Sequence, residues 1–247
     1  MLQKSPKKIS PDYIKSAIVE LRYTQKVPFD LVAGFLYHLF LENGFRYTVR
    51  PMPNVPISFN TGPQIVNIAV GNQNIYYNDR ISVNVLPGIF AFNWIGPYDG
   101  WDAFAAELKN AISLIERANI VGSYSRSGVR YISEYQNTNL RDCIAFDFTF
   151  NRPDLISSSY QFRTELPVGE FIVLLSLNHN QQIITPTETS VRIASVIDID
   201  VIKEIKDSDT PDVLSFITKA HNAGKDLFFS LLKPEFLATL NPVYEHE

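Results

Sequence analysis

The run from Asn93 to Ser133 constrains this chain more than any other stretch. Asn93-Trp94-Ile95 closes a strand, and Gly96-Pro97-Tyr98-Asp99-Gly100 turns the backbone. Trp101, Phe104, Leu108, Ala111, Ile112 and Ile115 then recur at helical spacing, with Glu107, Lys109, Asn110 and Glu116 on the other side. Asp99 is placed to cap this helix, because a carboxylate accepts first-turn N–H groups. Asp102 adds negative charge at the positive end of the helix dipole. A strand from Val121 to Tyr135 follows, and its alternation puts Arg126 and Arg130 on one face with only Gly128 between them.

The remaining elements extend this pattern. Ala17, Val19, Leu21 and Tyr23 alternate as one face of an early strand. Pro28 suits the first turn of a helix. Leu31, Val32, Phe35, Leu36, Leu39 and Phe40 supply its apolar stripe, and Gly44 ends it. The prolines and glycines from Pro51 to Gly71 predict a loop or sheet edge, with a short strand at Ile65–Ala69. Tyr76–Asn78, Ile81–Leu86 and Ile89–Ile95 read as a meander punctuated by Asp79-Arg80 and Pro87-Gly88. Further strands are predicted at Phe146–Phe150, Gln161–Leu166, Glu170–Asn178, Gln181–Thr185 and Ser190–Asp200, with a hairpin at Pro186-Thr187. Asp209 is the expected cap of a last long helix that carries Val213, Leu214, Ile217, Ala220, Leu227 and Leu231. Gly224 inside that helix predicts a close backbone approach, and Lys233-Pro234 ends it. Strand runs without βα alternation argue against a doubly wound parallel sheet. The expected fold is α+β: a twisted, mainly antiparallel sheet with three long helices packed on one face. It forms either one continuous domain or two lobes, residues 1–138 and 139–247.

Of 247 residues, 45% are hydrophobic and 19% charged, enough apolar material for a sizeable core. The net charge of −4 disfavours nucleic acid, whose non-specific binding needs excess Lys and Arg. The single cysteine, Cys143, excludes an intrachain disulfide and the paired-cysteine zinc patterns. The basic start, with Lys4, Lys7 and Lys8, lacks the apolar region of a secretory signal. The longest apolar run, Phe171–Leu175, suits a buried strand and falls short of the ~20 residues a membrane helix needs. A cytoplasmic location is therefore expected.

Three segments are similar to a known family. Ala17-Ile18-Val19-Glu20-Leu21-Arg22-Tyr23, Tyr98-Asp99-Gly100-Trp101-Asp102-Ala103-Phe104 and Arg126-Ser127-Gly128-Val129-Arg130-Tyr131-Ile132-Ser133 resemble a family of sporadically distributed prokaryotic proteins without an assigned activity. In that family a Gly-Trp-x-x-Phe element precedes Arg-x-Gly-x-Arg-Tyr-Ile-Asn. Here Ser133 takes the Asn position. The closing helix, with His221 followed by Phe228 or Phe229, is similar too. The resemblance implies a bacterial or archaeal cytosolic protein and brings no catalytic residues with it.

Six residues are candidates for a site. Arg126 and Arg130 lie ~13 Å apart along their strand. They either hold an anion, since guanidinium forks suit phosphate and carboxylate, or pair with acidic side chains of neighbouring strands. Asp198 and Asp200 share a strand face ~7 Å apart. They either do metal or acid–base work, face solvent, or serve as partners of Arg126 and Arg130. His221 lies near the apolar stripe of its helix, as a buried histidine with one hydrogen bond or as a ligand contact. Trp101, with Trp94 and Tyr98, is either a core anchor or an aromatic ledge for a ligand. Nothing in the sequence ties His38, His179 or His221 to a serine or to Cys143. Gly96-Pro97-Tyr98-Asp99-Gly100 lacks the Lys and spacing of a phosphate loop, so no cofactor is called for.

The expected function is that of a non-enzymatic cytosolic binding protein that recognises an anionic small molecule or a partner protein. The alternative is an enzyme on a phosphate-bearing or nucleotide substrate, with Arg126 and Arg130 on the anion and Asp198, Asp200 or His221 moving protons. An exposed sheet edge would let two copies pair.

Overall fold

A computed structural model describes residues 5–51, 72–146, 158–183, 192–206 and 212–244. The elements run β1 (Ile14–Gln25), α1 (Phe29–Glu42), β2 (Arg46–Pro51), β3 (Asn72–Tyr77), β4 (Ile81–Leu86), β5 (Ile89–Trp94) and α2 (Trp101–Arg117). Then follow β6 (Val121–Gln136), α3 (Leu140–Cys143), β7 (Tyr160–Val168), β8 (Phe171–Ile183), β9 (Arg192–Glu204), α4 (Val213–Leu231) and α5 (Pro234–Thr239). The fold is α+β, with nine strands in one antiparallel sheet of order β2-β3-β4-β5-β1-β6-β9-β8-β7. The sheet runs without a break across residue 138, through the pairing of β6 with β9.

Alternation sorts each strand into a core face and a second face. Ala17, Val19, Leu21 and Tyr23 are buried, as the pattern of β1 predicts. Register extends that face across the sheet. Tyr76 pairs with Val83, Val83 with Phe92, Phe92 with Val19, Val19 with Val129, Val129 with Val201 and Val201 with Val173. All seven are buried. Three helix contacts meet this row or its strands. The Tyr76 hydroxyl donates to the Ala33 carbonyl of α1 at 2.8 Å. The Trp94 ring meets Phe104 of α2 edge-on at 5.9 Å. A Cβ on Gly224 of α4 would lie 3.0 Å from Val201 Cγ2, which bears out the close approach expected there.

Several local expectations change. Gly100, at φ 97, is the N-cap of α2 and no side chain caps it; Asp99 is exposed. Trp101 therefore opens the helix directly after a residue in a conformation that favours glycine. Asp212 caps α4 by accepting from the Ser215 N–H at 3.1 Å, while Asp209 lies outside the described residues. In α1 only Val32, Leu36 and Phe40 of the stripe are buried; Leu31 and Phe35 are 54% and 50% exposed. The i, i+4, i+8 set is the part of a wide apolar stripe that meets the sheet first. The strands expected at Glu170–Asn178 and Gln181–Thr185 form one strand, β8, with a register irregularity between Asn178 and Gln181. Phe146 lies outside any strand. The expected strand at Ile65–Ala69, the rest of that at Phe146–Phe150, and the Pro186-Thr187 hairpin lie outside the described residues. Three elements add to the prediction: β2 at one sheet edge and the short helices α3 and α5.

Candidate functional site

β6 presents the arginine motif to both faces of the sheet. Arg126, Gly128 and Arg130 share one face, while Val129, Tyr131 and Ser133 share the other. On the first face the Arg130 guanidinium grips Asp198 with two bonds: Nε donates to Oδ1 at 2.9 Å and Nη2 to Oδ2 at 2.6 Å. The register sets Arg130 opposite Asp200, so it reaches diagonally to its partner. The space beside Gly128 faces Asp200, whose Oδ1 would lie 3.5 Å from an added Cβ. Arg126 stands 3.9 Å from Glu20 and 3.7 Å from Glu204, and Arg22 donates to Glu20 at 2.9 Å. Burial pushes the Asp200 carboxyl up to about 6. Arg130 and Arg126 oppose that rise, and Asp198 and Glu20 add to it. A hollow of about 520 Å³ beside Arg126 is also lined by Arg22, Lys203, Lys206, Glu165, Glu170 and Glu204. Lys203 there is already on Glu170 at 2.6 Å.

The other face forms a cleft of about 580 Å³. Its apolar wall includes Ile197, Ile199, Phe228 and Phe229, and Trp101 and His221 line it together. These two rings stack with centroids 4.1 Å apart and planes within 4°. Gly100 positions Trp101 at the start of α2, and Gly224, one turn beyond His221, lets α4 settle against β9. The Tyr131 hydroxyl lies 2.9 Å from His221 Nδ1 and 3.4 Å from the Tyr98 hydroxyl. Burial, with Lys225 adding to it, pushes the His221 imidazole down to about 3. Burial raises the phenols of Tyr98 and Tyr131. Near neutral pH this polar chain is uncharged.

The charges of the cleft come from its margins. Lys7, Lys8 and Asp12 arrive on the N-terminal segment, Asp99 and Asp102 at the start of α2, and Lys225 on α4. That segment is fixed by backbone bonds to the C-terminal end: Lys7 N to Val243 O at 2.7 Å, Val243 N to Lys8 O at 2.8 Å and Ser10 N to Leu240 O at 2.7 Å. Lys7 also approaches Asp102 at 3.9 Å.

The six sequence candidates thus divide between two faces. Arg126, Arg130, Asp198 and Asp200 lie on one, where Asp198 is the partner of Arg130 and Glu20 and Glu204 stand beside Arg126. Trp101 and His221 meet in the cleft on the other. Tyr131, Lys8 and Lys225 are not among the six. Tyr131 follows from the same alternation that places Arg130, but no local signal brings residues 8 and 225 to one cleft.

Two other groups are structural. His179 Nδ1 lies 3.2 Å from Ser195 Oγ, yet these residues are 4% and 0% exposed. The Ser195 hydroxyl donates to the Thr138 carbonyl at 2.9 Å and accepts from the Asn180 N–H at 3.2 Å, which pins the irregularity of β8. Burial pushes the Cys143 thiol up to about 11, so it stays protonated. Among the described residues no three His, Cys, Asp or Glu cluster to hold a metal ion, and no helix is long and apolar enough to cross a membrane. No family model matches the chain and no curated protein does.

Proposed function

We propose that this protein binds a small anionic molecule in the cleft between Trp101, His221 and the N-terminal segment. The observation that carries this reading is the Trp101–His221 stack in a cleft of about 580 Å³ that Lys8 and Lys225 also line. Small-molecule sites have such volumes, with mostly apolar walls and a few placed polar groups. Lysine ammonium groups beside an apolar wall suit a ligand with an apolar body and a negative end. The three long helices share the cleft side of the sheet in this reading, and a buried free thiol suits a reducing cytosol.

The alternative, an enzyme on a phosphate-bearing or nucleotide substrate, puts Arg126 and Arg130 on the anion with Asp198, Asp200 or His221 moving protons. The sheet separates His221 from the arginines. Arg130 is engaged by Asp198, and a histidine held neutral by burial is a weak proton acceptor at pH 7. These facts weigh against Asp198 and His221 as proton carriers.

Titration with the fluorescent amphipathic anion 1-anilinonaphthalene-8-sulfonate tests the proposal. Saturable one-to-one binding is expected, weakened at least tenfold by Trp101→Ala and by Lys225→Met and unchanged by Arg130→Met. Lys225 sits at the cleft margin, so its variant tests the site even if Trp101→Ala unfolds the chain. No saturable binding, binding indifferent to Lys225→Met, or loss with Arg130→Met would overturn it.

A further inference from the structure

We infer that the cleft ligand is an aromatic carboxylate seated on the Nε2–H of His221, and that Tyr131 sets the tautomer that presents this donor. The inference rests on the cleft reading above and specifies its ligand.

The tautomer follows from donor and acceptor strengths. A neutral imidazole has one N–H and one bare nitrogen. Its Nδ1 lies 2.9 Å from the Tyr131 hydroxyl. A phenol is the better donor of the two and a bare imidazole nitrogen the better acceptor, so the bond runs from Tyr131 O–H to Nδ1. The Tyr98 hydroxyl, 3.4 Å from Tyr131, then donates onward to the Tyr131 oxygen. This order leaves the proton of His221 on Nε2. Among the described residues Nε2 has no hydrogen-bond partner, and it is not sealed from solvent. The ring lines the cleft, so this N–H is a fixed donor for an acceptor that enters it.

The rest of the ligand follows from the walls. Trp101, Tyr98, Tyr131, Phe228 and Phe229 supply aromatic edges and faces around His221. Ring-on-ring contacts, stacked or edge-on, favour an aromatic body over a flexible chain. A flat body also loses less rotamer freedom on binding. A carboxylate is the acceptor that answers the directed N–H and an ammonium group of Lys8 or Lys225, which line the cleft together with Lys7, Asp12, Asp99 and Asp102.

Nitrogen-15 spectra of His221 and calorimetry with 2-naphthoate, 2-naphthamide and decanoate test this. The wild-type protein should show the Nε2–H tautomer and bind 2-naphthoate at least tenfold more tightly than decanoate or the amide. Tyr131→Phe should mix the tautomers and weaken 2-naphthoate severalfold. His221→Gln, whose amide N–H falls close to the position of Nε2–H, should retain more affinity than His221→Phe. An Nδ1–H tautomer, or decanoate equal to 2-naphthoate while Lys225→Met weakens both, would overturn the aromatic inference and leave the cleft reading standing. Failure of both anions to bind would overturn the two together.

Discussion

Arg130 and Tyr131 are consecutive residues of β6 that serve opposite faces of the sheet. The Arg130 guanidinium closes on Asp198 with two hydrogen bonds, and the Tyr131 hydroxyl meets His221 Nδ1 at 2.9 Å. A single strand step thus separates an ion-pair network from a cleft.

The first consequence concerns stability. Asp198 is 16% exposed on its side chain and Arg130 39%, so the carboxylate is the member that suffers when the pair is broken. Arg130→Ala should cost about 1–2 kcal/mol, less than a fully buried pair because water reaches the guanidinium. The double variant with Asp198→Ala should recover part of that loss. Urea unfolding of the four proteins measures the coupling; strict additivity would contradict a direct pair.

Asp200 carries a pH dependence of defined sign. Its folded-state pKa, raised to about 6, lies above the ~3.9 of an unfolded chain. The fold therefore prefers the neutral acid. The stabilising contribution is present in full below pH ~4 and is lost as pH rises through 6. Above pH 6 the fold holds an unwanted carboxylate at a cost of about 2–3 kcal/mol. Asp200→Asn should raise Tm at pH 7.5, with the gain fading toward pH 4. A lower Tm for the variant at pH 7.5 would contradict this.

His221 works in the opposite sense of pH. Burial depresses its folded pKa to about 3, against ~6.5 unfolded. The neutral ring is fully compatible with the fold above pH 6.5. Stability falls as pH drops from 6.5 toward 3, by at most about 1.4 kcal/mol per unit from this group. The stability of the wild type relative to His221→Gln should therefore shrink between pH 7 and pH 4 in denaturant titrations. A constant difference would show that His221 titrates normally.

Gly224→Ala pits helix propensity against packing. Alanine gains up to about 1 kcal/mol in a helix interior. Its Cβ would sit 3.0 Å from Val201 Cγ2, and Val201 is 1% exposed and stiff at χ1. The net effect should be a loss of about 1–2 kcal/mol, relieved by Val201→Ala. A more stable Gly224→Ala would show that α4 can back away from β9.

The parts of this fold legible in the sequence are those written by local periodicity. β1, α2 and β6 follow from alternation and helical spacing, and Gly224 announced its contact by its cost in a helix. The caps were harder. Asp99 and Asp209 carry suitable side chains, but the positive φ of Gly100 and the backbone path at Asp212 decide which residue caps. The candidate site was half legible. Trp101 and His221 were marked by residue type, yet their stacking joins α2 to α4 over a long loop in sequence. The Arg126–Gly128–Arg130 spacing showed a shared face but could not show that Asp198 and Asp200 would stand there. Register between β6 and β9 is a long-range property, set by the whole sheet.

The claim on which the account depends is that the ligand enters on the Tyr131 side of β6. The chain has two tryptophans, so their indole N–H signals are readily told apart in a nitrogen-15 spectrum. Titration with 2-naphthoate should move the Trp101 indole and His221 ring signals saturably, while the guanidinium Nε–H signals of Arg126 and Arg130 stay in place. Saturable movement of Arg126 and Arg130 with Trp101 and His221 unmoved would put the site on the opposite face and contradict the account.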